Sequence, residues 1–491
     1  MLSRALPYVE SISFFVWLIL AGYLFFQSGE SDLKPLTAEA LQASSSEERW
    51  NGIFFQEQHV GYSVARTSEL EDGSLLMEQR SIFRVATFGQ LQKIVTAGAA
   101  LSDPSGALRR FDFFMASGDI TLSAKGEVRG NQILMEVNQG GEVNNLSFDI
   151  KEPPHVSLSL EAAIRKQELS IGKKFSLPYF DPVTMSQQDM SIKVIDSEIL
   201  ENGEEAWWIQ TSFAGIMTRS LVSPTGDLLR QEGGALGISI VRMSPADAQN
   251  VPTQKEPVDL IALSAVPLKG KLKKPRNKTI LEVEVSGIDI QKLPHRPPIQ
   301  IVSGKNVRIE IPNINQIQDE PIATTDKESP YLEETLTLPV SHSEIRNKAN
   351  EVIGQSQTRM EAAQKLNTFV YDYMEKIPSI GVPNGLQSLR QAKGDCNEHT
   401  ALYVSMARSI GIPSRIAAGL VFSDRTGPIG QFYYHAWPEV LLGEHWIPID
   451  PTFGQFPADA THIKITEGDL DRQVEIMGFL GQISLILKQA E

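Results

Sequence analysis

A chain of 491 residues with 41% hydrophobic and 21% charged side chains is a folded protein too long for one core, and roughly two to four domains are expected. A formal charge of −15 excludes a nucleic-acid binder that works through a concentrated basic face. With one cysteine there is no intrachain disulfide, so the fold rests on packing and the thiol stays free.

The first element is apolar. Ser11 to Gln27, "SISFFVWLILAGYLFFQ", carries no charge, and extended back to Leu6 it is interrupted only by Pro7 and Glu10. That is long enough for a membrane-crossing helix of about 20 residues. "LFFQSGES" offers no small-x-small cleavage pattern, and Arg4 precedes the run. Residues 1–27 are therefore expected to be an uncleaved transmembrane signal anchor, with the bulk of the chain exported to the periplasm or beyond. Residues 28–48 read as a polar, Ser-rich linker.

From 49 to 243 the hydrophobic period becomes two. Segments such as "QILMEVNQ" and "EAWWIQTSF" alternate with turn pairs at Asp72-Gly73, Asn202-Gly203 and Thr225-Gly226. An antiparallel β-rich meander is expected, either a curved sheet or an open barrel, serving as a platform. Residues 244–330 are a Pro-rich linker holding a small β domain built on "KTILEVEVSG" and "VRIEIP". The basic run "KGKLKKPRNK" at 269–278 reads as a solvated loop. From 331 to 480 helical spacing comes first and strands follow, which describes an α+β domain; 481–491 are a tail. The expected fold class is thus multidomain, with an N-terminal transmembrane helix, an antiparallel β-rich region, and an α+β domain.

The lone thiol lies in this last region, in "KGDCNEHTAL". Asp395 is a good N-cap and Glu398 completes a capping box, so a helix should start at Cys396. It should run to about Ser409, where Gly411 terminates it and Pro413 prevents its resumption. At the first helical position, unpaired N–H groups and the helix dipole favour thiolate, and a lowered pKa is expected. Four of the eight histidines lie nearby: His399, His435, His445 and His462. His399 lies one turn further into the helix and reads as a packing or hydrogen-bonding residue. His435 lies on a strand, and a hairpin centred on Leu442 and Gly443 places it opposite Asp450 on one face. Asp450 would fix the imidazole tautomer while the other ring nitrogen faces sulfur. His445, the rival base, points to the opposite face by strand alternation, and no role is assigned to His462. Trp437 and Trp446 are expected around the site.

"GDCNEHTALYVSMARSIGIPSR", "HAWPEV" and "WIPIDPTFGQ", in that order, resemble the transglutaminase-like superfamily of papain-type cysteine enzymes. The resemblance covers roughly residues 330–480 and implies a papain-like fold. It implies Cys396 as nucleophile, His435 as general base and then acid, and Asp450 as the orienting carboxylate. It also implies acyl chemistry on peptide or isopeptide amides through a thioester; no EF-hand spacing, Cys/His zinc set or P-loop occurs in the sequence, so no cofactor and no metal are expected. A side-chain oxyanion donor is expected upstream, for which Gln387, Gln391 and Tyr373 are candidates. Hydrolysis of a peptide or protein substrate in the cell envelope ranks first and amide-transferring cross-linking second. A non-catalytic envelope scaffold is the third reading.

Overall fold

A computed structural model describes residues 46–491, apart from residues 88, 119 and 140 and the stretches 183–185, 214–215, 234–236, 254–255, 323–328, 380–381, 425–429, 470–471, 473–475 and 477–480. Between Ser46 and Arg242 lies one antiparallel sheet of fourteen strands. Its first strand, Ser46–Phe55, sits in the middle. Seven strands meander outward to the edge strand Glu142–Asp149. The chain then crosses to the far edge at Lys174–Asp181 and meanders back until Ile238–Arg242 pairs with the first strand. Alternation makes these strands: in Gln132–Gln139, Ile133, Met135 and Val137 are buried while Leu134, Glu136 and Asn138 are only partly so. Each such apolar side chain contributes about 1.5–3 kcal/mol on burial. The sheet curls, because Phe180 of one edge strand packs 5.6 Å from Phe148 of the other.

A second sheet of five strands contains Ile280–Ser286, and its neighbour is Ser484–Ala490, so the C-terminal residues form a paired strand rather than a free tail. The third unit carries the thiol. Helices α1 (Ser343–Ile353), α2 (Arg359–Tyr373), α3 (Gly385–Gln391) and α4 (Cys396–Ser409) precede a four-stranded sheet of β1 (Ser414–Ser423), β2 (Gln431–Leu442), β3 (His445–Pro448) and β4 (Ile463–Glu467), ordered β3-β2-β1-β4. The units share a core. Ile53, Val85 and Ile94 of the large sheet, Val283 and Val307 of the small one, and Leu420 and Phe432 of β1 and β2 belong to one apolar cluster. Backbone hydrogen bonds between Val266 and Phe432, 2.7 and 3.0 Å, stitch the same junction.

The expected fold class requires correction. The chain is mostly β-sheet with few helices, dominated by the fourteen-stranded sheet. Residues 1–27, where the transmembrane helix was expected, lie outside the described residues. Among the described residues no helix is long and apolar enough to cross a membrane. The transmembrane helix, and the membrane-anchored, exported location that rested on it, are therefore withdrawn. An apolar run in sequence establishes length and hydropathy, which are necessary for a span but do not make one.

Candidate active site

Helix α4 starts where the capping box sets it. The Asp395 side chain accepts from the Asn397 N–H at 2.9 Å, and Glu398 Oε2 accepts from the Asp395 N–H at 2.9 Å. Cys396 is the first helical residue and is half-buried. Ala436 then registers the helix over β2. Its carbonyl accepts from Thr400 Oγ1 at 3.1 Å, and its N–H reaches the Cys396 sulfur. The helix tip is thereby held beside His435, the preceding residue of β2. Opposite His435 on β1 is Gly419, where a Cβ would lie 2.0 Å from the Ile463 carbonyl oxygen, so only glycine lets β4 close on this strand.

His435 Nε2 lies 2.9 Å from Asp450 Oδ2. The register that unites them differs from the expected one. Leu442 pairs with His445 and Glu439 with Pro448, so the turn is Gly443-Glu444 and the pairing is displaced by two residues. A two-residue displacement preserves which face each side chain takes. Strand β3 ends at Pro448, and Asp450 and Gln455 close the following turn through backbone hydrogen bonds of 2.8 and 2.9 Å. Asp450 Oδ1 accepts from the Thr452 and Phe453 N–H groups of that turn, at 2.7 and 3.0 Å. His435 thus reaches Asp450 diagonally instead of straight across. Its ring is flanked by Phe453, stacked at 5.0 Å, and Trp437, stacked at 6.2 Å.

The other sequence candidates fall elsewhere. His445 is exposed on β3. His399 is buried, with Nδ1 2.6 Å from the Asp395 carbonyl, and burial holds it down at about 4, so it is neutral. Trp446 packs on Tyr331 and Arg415 and not on His435. Tyr373 Oη donates to the Leu389 carbonyl, while Gln387 and Gln391 line a cavity of about 160 Å³ beside Gly394 and Glu398. The residue left without a role in the sequence reading is His462. It is buried, with Nε2 3.1 Å from Asp450 Oδ2 and Nδ1 2.9 Å from the Asp459 carbonyl. No motif marks it: the Asp459 contact is an ordinary local one, and the contact with Asp450 is made only when the intervening turn folds back. His435, Asp450 and His462 offer one ligand atom each within 4.8 Å of one another, a set that fits a divalent cation only by giving up the protons that now link them.

Charge in the site is distributed unequally. Burial opposes ionisation of Asp450, but His435 and His462 hold its carboxyl well below the usual range. Burial lowers His435 against the pull of Asp450, so it rests neutral at pH 7. Burial would lower His462 too, yet its bonds to Asp450 and Asp459 raise it to about 9. The thiol departs from expectation. Burial and then the Asp395 charge push Cys396 well above its ordinary value, with Glu398 and Asp450 adding to the effect and the Ala436 N–H opposing it. The resting pair is a neutral thiol and a neutral imidazole.

The shift at His462 makes stability depend on pH. A histidine raised from 6.5 to about 9 contributes stability that is complete below about 6.5 and lost as pH rises through about 9. About 3 kcal/mol is the most this group can supply. Asp450 and Asp459, both depressed below 3.8, lose their contribution as pH falls through the acid range. Urea unfolding across pH is expected to show a maximum between about 4 and 6.5 and a decline toward 9.

Residues 346–451 match the model of the transglutaminase-like superfamily, and this segment spans Cys396, His435 and Asp450. The chain therefore carries a transglutaminase-like domain. An uncharacterized protein of Mycobacterium leprae (strain TN) is 24% identical over 157 residues, 31% of this chain and 55% of that protein. The chain thus spans about half the length of the curated relative it matches. Among solved structures, a candidate cysteine protease from Cytophaga hutchinsonii is similar at 14% identity and a TM-score of 0.29, over 43% of this chain and 86% of that one. A β-barrel-like protein from Brucella abortus is similar at 10% identity and a TM-score of 0.31, over 40% of this chain and 93% of that one.

Proposed function

We propose that the protein is a cysteine acyl hydrolase that cleaves a peptide or isopeptide amide bond through a thioester on Cys396. The observation that carries this reading is the commitment of His435 Nε2 to Asp450, at 2.9 Å. A carboxylate only accepts, so Nε2 holds the proton and Nδ1 keeps a lone pair for the thiol. As sulfur attacks the substrate carbonyl carbon, the thiol proton passes to Nδ1 and negative charge develops on the carbonyl oxygen. The capping box engages the Asp395, Asn397 and Glu398 N–H groups, so the Cys396 N–H, which lies outside it, is the tip donor assigned to that charge. Collapse expels the amine, which takes the proton from His435, and leaves the acyl group on sulfur. Water, deprotonated by His435, then releases the acid and restores the thiol. Cys396 is half-buried rather than sealed, which favours water as the acceptor.

The test combines trapping and partition. Peptide pools are to be incubated in ¹⁸O-water with a labelled primary amine, and the products and Cys396 analysed by mass spectrometry. An acyl adduct on Cys396 with ¹⁸O in the new carboxylate is expected. Label from the amine in the product amide would assign transfer instead. If Cys396 reacts with electrophiles like a free thiol, unchanged by His435→Ala, the domain is a binding scaffold.

A further inference from the structure

We propose that the catalytic array continues past its carboxylate, with His462, Asp459 and Arg276 acting as positioning residues that hold Asp450 and, through it, the reactive tautomer of His435. This inference rests on the triad reading above and extends it to residues outside the matched segment 346–451.

The hydrogen-bond chemistry fixes the protons. His462 Nε2 faces the Asp450 carboxylate at 3.1 Å, and Nδ1 faces the Asp459 carbonyl oxygen at 2.9 Å. Both partners only accept, so both ring nitrogens donate and His462 is an imidazolium. Its counter-charges are Asp450 on one side and Asp459 on the other. Asp459 is occupied in turn: Oδ1 takes the Thr461 N–H at 2.7 Å, while Oδ2 takes Arg276 Nη1 at 2.8 Å and Gln455 Nε2 at 2.9 Å. Asp450 Oδ2 therefore lies between two imidazole N–H groups, one from a ring that must shuttle protons and one from a ring that stays charged.

Arg276 closes the array from its other end. Its guanidinium lies 4.2 Å over the Phe453 ring, which is stacked on His435 at 5.0 Å and 10°. It also donates to the Phe422 carbonyl. One side chain thus braces the carboxylate through Asp459 and His462, and the imidazole through Phe453. Arg276 belongs to the basic run 269–278, which read as a solvated loop. One member of that run is instead built into the site.

A fixed cation beside Asp450 has a chemical consequence. It disfavours a second positive charge on His435, which keeps that ring a neutral base at rest and a stronger acid toward the departing amine. The other charged or titratable groups around His462 are Arg276 behind Asp459 and, lining a shared cavity of about 100 Å³, Arg415, Lys464, Glu439, Arg296, Glu444 and His445. Glu439 is paired with Arg415 and Lys464, at 2.7 and 2.9 Å, and Glu467 with the same two, at 3.1 and 3.0 Å, so these four groups balance one another and the imidazolium is the cation hydrogen-bonded to Asp450.

The experiment follows Cys396 alkylation by iodoacetamide and turnover of the trapped peptide, both against pH, in the full chain. His462→Gln keeps an N–H donor for Asp450 but carries no charge, and Arg276→Met keeps an aliphatic side chain but loses both the guanidinium over Phe453 and the bond to Asp459. His462→Gln is expected to lower kcat roughly 10–100-fold with KM little changed, as for groups that orient a primary functional residue. The acid limb of its alkylation profile should move to higher pH by about one unit. Arg276→Met, half-exposed and the safer variant for folding, should shift the limb in the same direction by less. A wild-type profile that ignores His435→Ala overturns the triad reading itself. A profile that depends on His435 but is unmoved in both variants overturns only the present inference.

Discussion

Cys396→Ala is expected to reduce turnover on the order of 10⁵-fold or more while leaving the fold unchanged. The loss is large because the covalent route disappears, and the helix tip and His435 can then only position substrate and water. The fold should survive because alanine is the best helix former and Cys396 is a half-buried first-turn residue whose cap is made by Asp395 and Glu398. An unfolding free energy within about 0.5 kcal/mol of wild type, from urea titration, would confirm that the change is chemical. Cys396→Ser provides the sharper contrast. Serine preserves shape but holds its proton far more tightly, and His435 is held below its ordinary basicity by burial. The serine variant is expected to be nearly as inactive as the alanine one. Substantial activity in either variant would overturn the thioester route.

The neutral resting pair changes what the helix tip contributes. A cysteine at a first helical position gains from the dipole and from unpaired N–H groups, which is why a depressed pKa was expected there. The same position here is half-buried, and the charges of Asp395, Glu398 and Asp450 act on the sulfur. Burial and three carboxyl groups outweigh one helix terminus, whose effect is worth about 0.3–1 kcal/mol in ordinary settings. On the proposed thioester route, nucleophilicity is then generated during attack by proton transfer to His435. The orientation of that ring therefore matters more than it would in a preformed ion pair.

What could be read from the sequence follows from the range of the interactions. Helix α4 was legible because its cap, its stripe and its Gly411–Pro413 stop are all local. The shared face of His435 and Asp450 was legible because it depends only on parity, which survived the misplaced turn centre. The pairing of Ile53 with Ile240 was not, since nothing local says that the first strand of a meander will receive the fourteenth. For the same reason the strand Ser484–Ala490 read as a tail: its partner Ile280–Ser286 is distant in sequence. His462, Asp459 and Arg276 carry ordinary local signals, and only the fold links them in a chain that ends on Asp450. The thiol's environment was misjudged because a helix-terminus argument omits whatever the fold stacks over that terminus.

Asp450→Asn is expected to cost on the order of 10⁴ in kcat with KM within about threefold, the loss produced elsewhere when an orienting carboxylate becomes an amide. Four N–H groups converge on Asp450: Thr452 and Phe453 on Oδ1, and His435 and His462 on Oδ2. An asparagine has one oxygen and one NH₂, so no rotamer can accept from all four. If the oxygen keeps the backbone pair, the NH₂ faces two rings. His462 cannot yield, because its Nδ1 proton is held by the Asp459 carbonyl and its charge by the Asp459 carboxylate. His435 can yield, by moving its proton to Nδ1, and that places an N–H where a lone pair must face sulfur. If the oxygen turns toward the rings instead, the Thr452 and Phe453 N–H groups lose their acceptor and the turn that carries residue 450 loosens. Either arrangement leaves a buried donor unpaired, at about 1–3 kcal/mol of stability. The two are separable by measurement. The first rotamer lowers kcat with the urea midpoint only modestly reduced, and the second lowers both. Wild-type kcat in this variant would show that His435 takes its tautomer from somewhere other than Asp450.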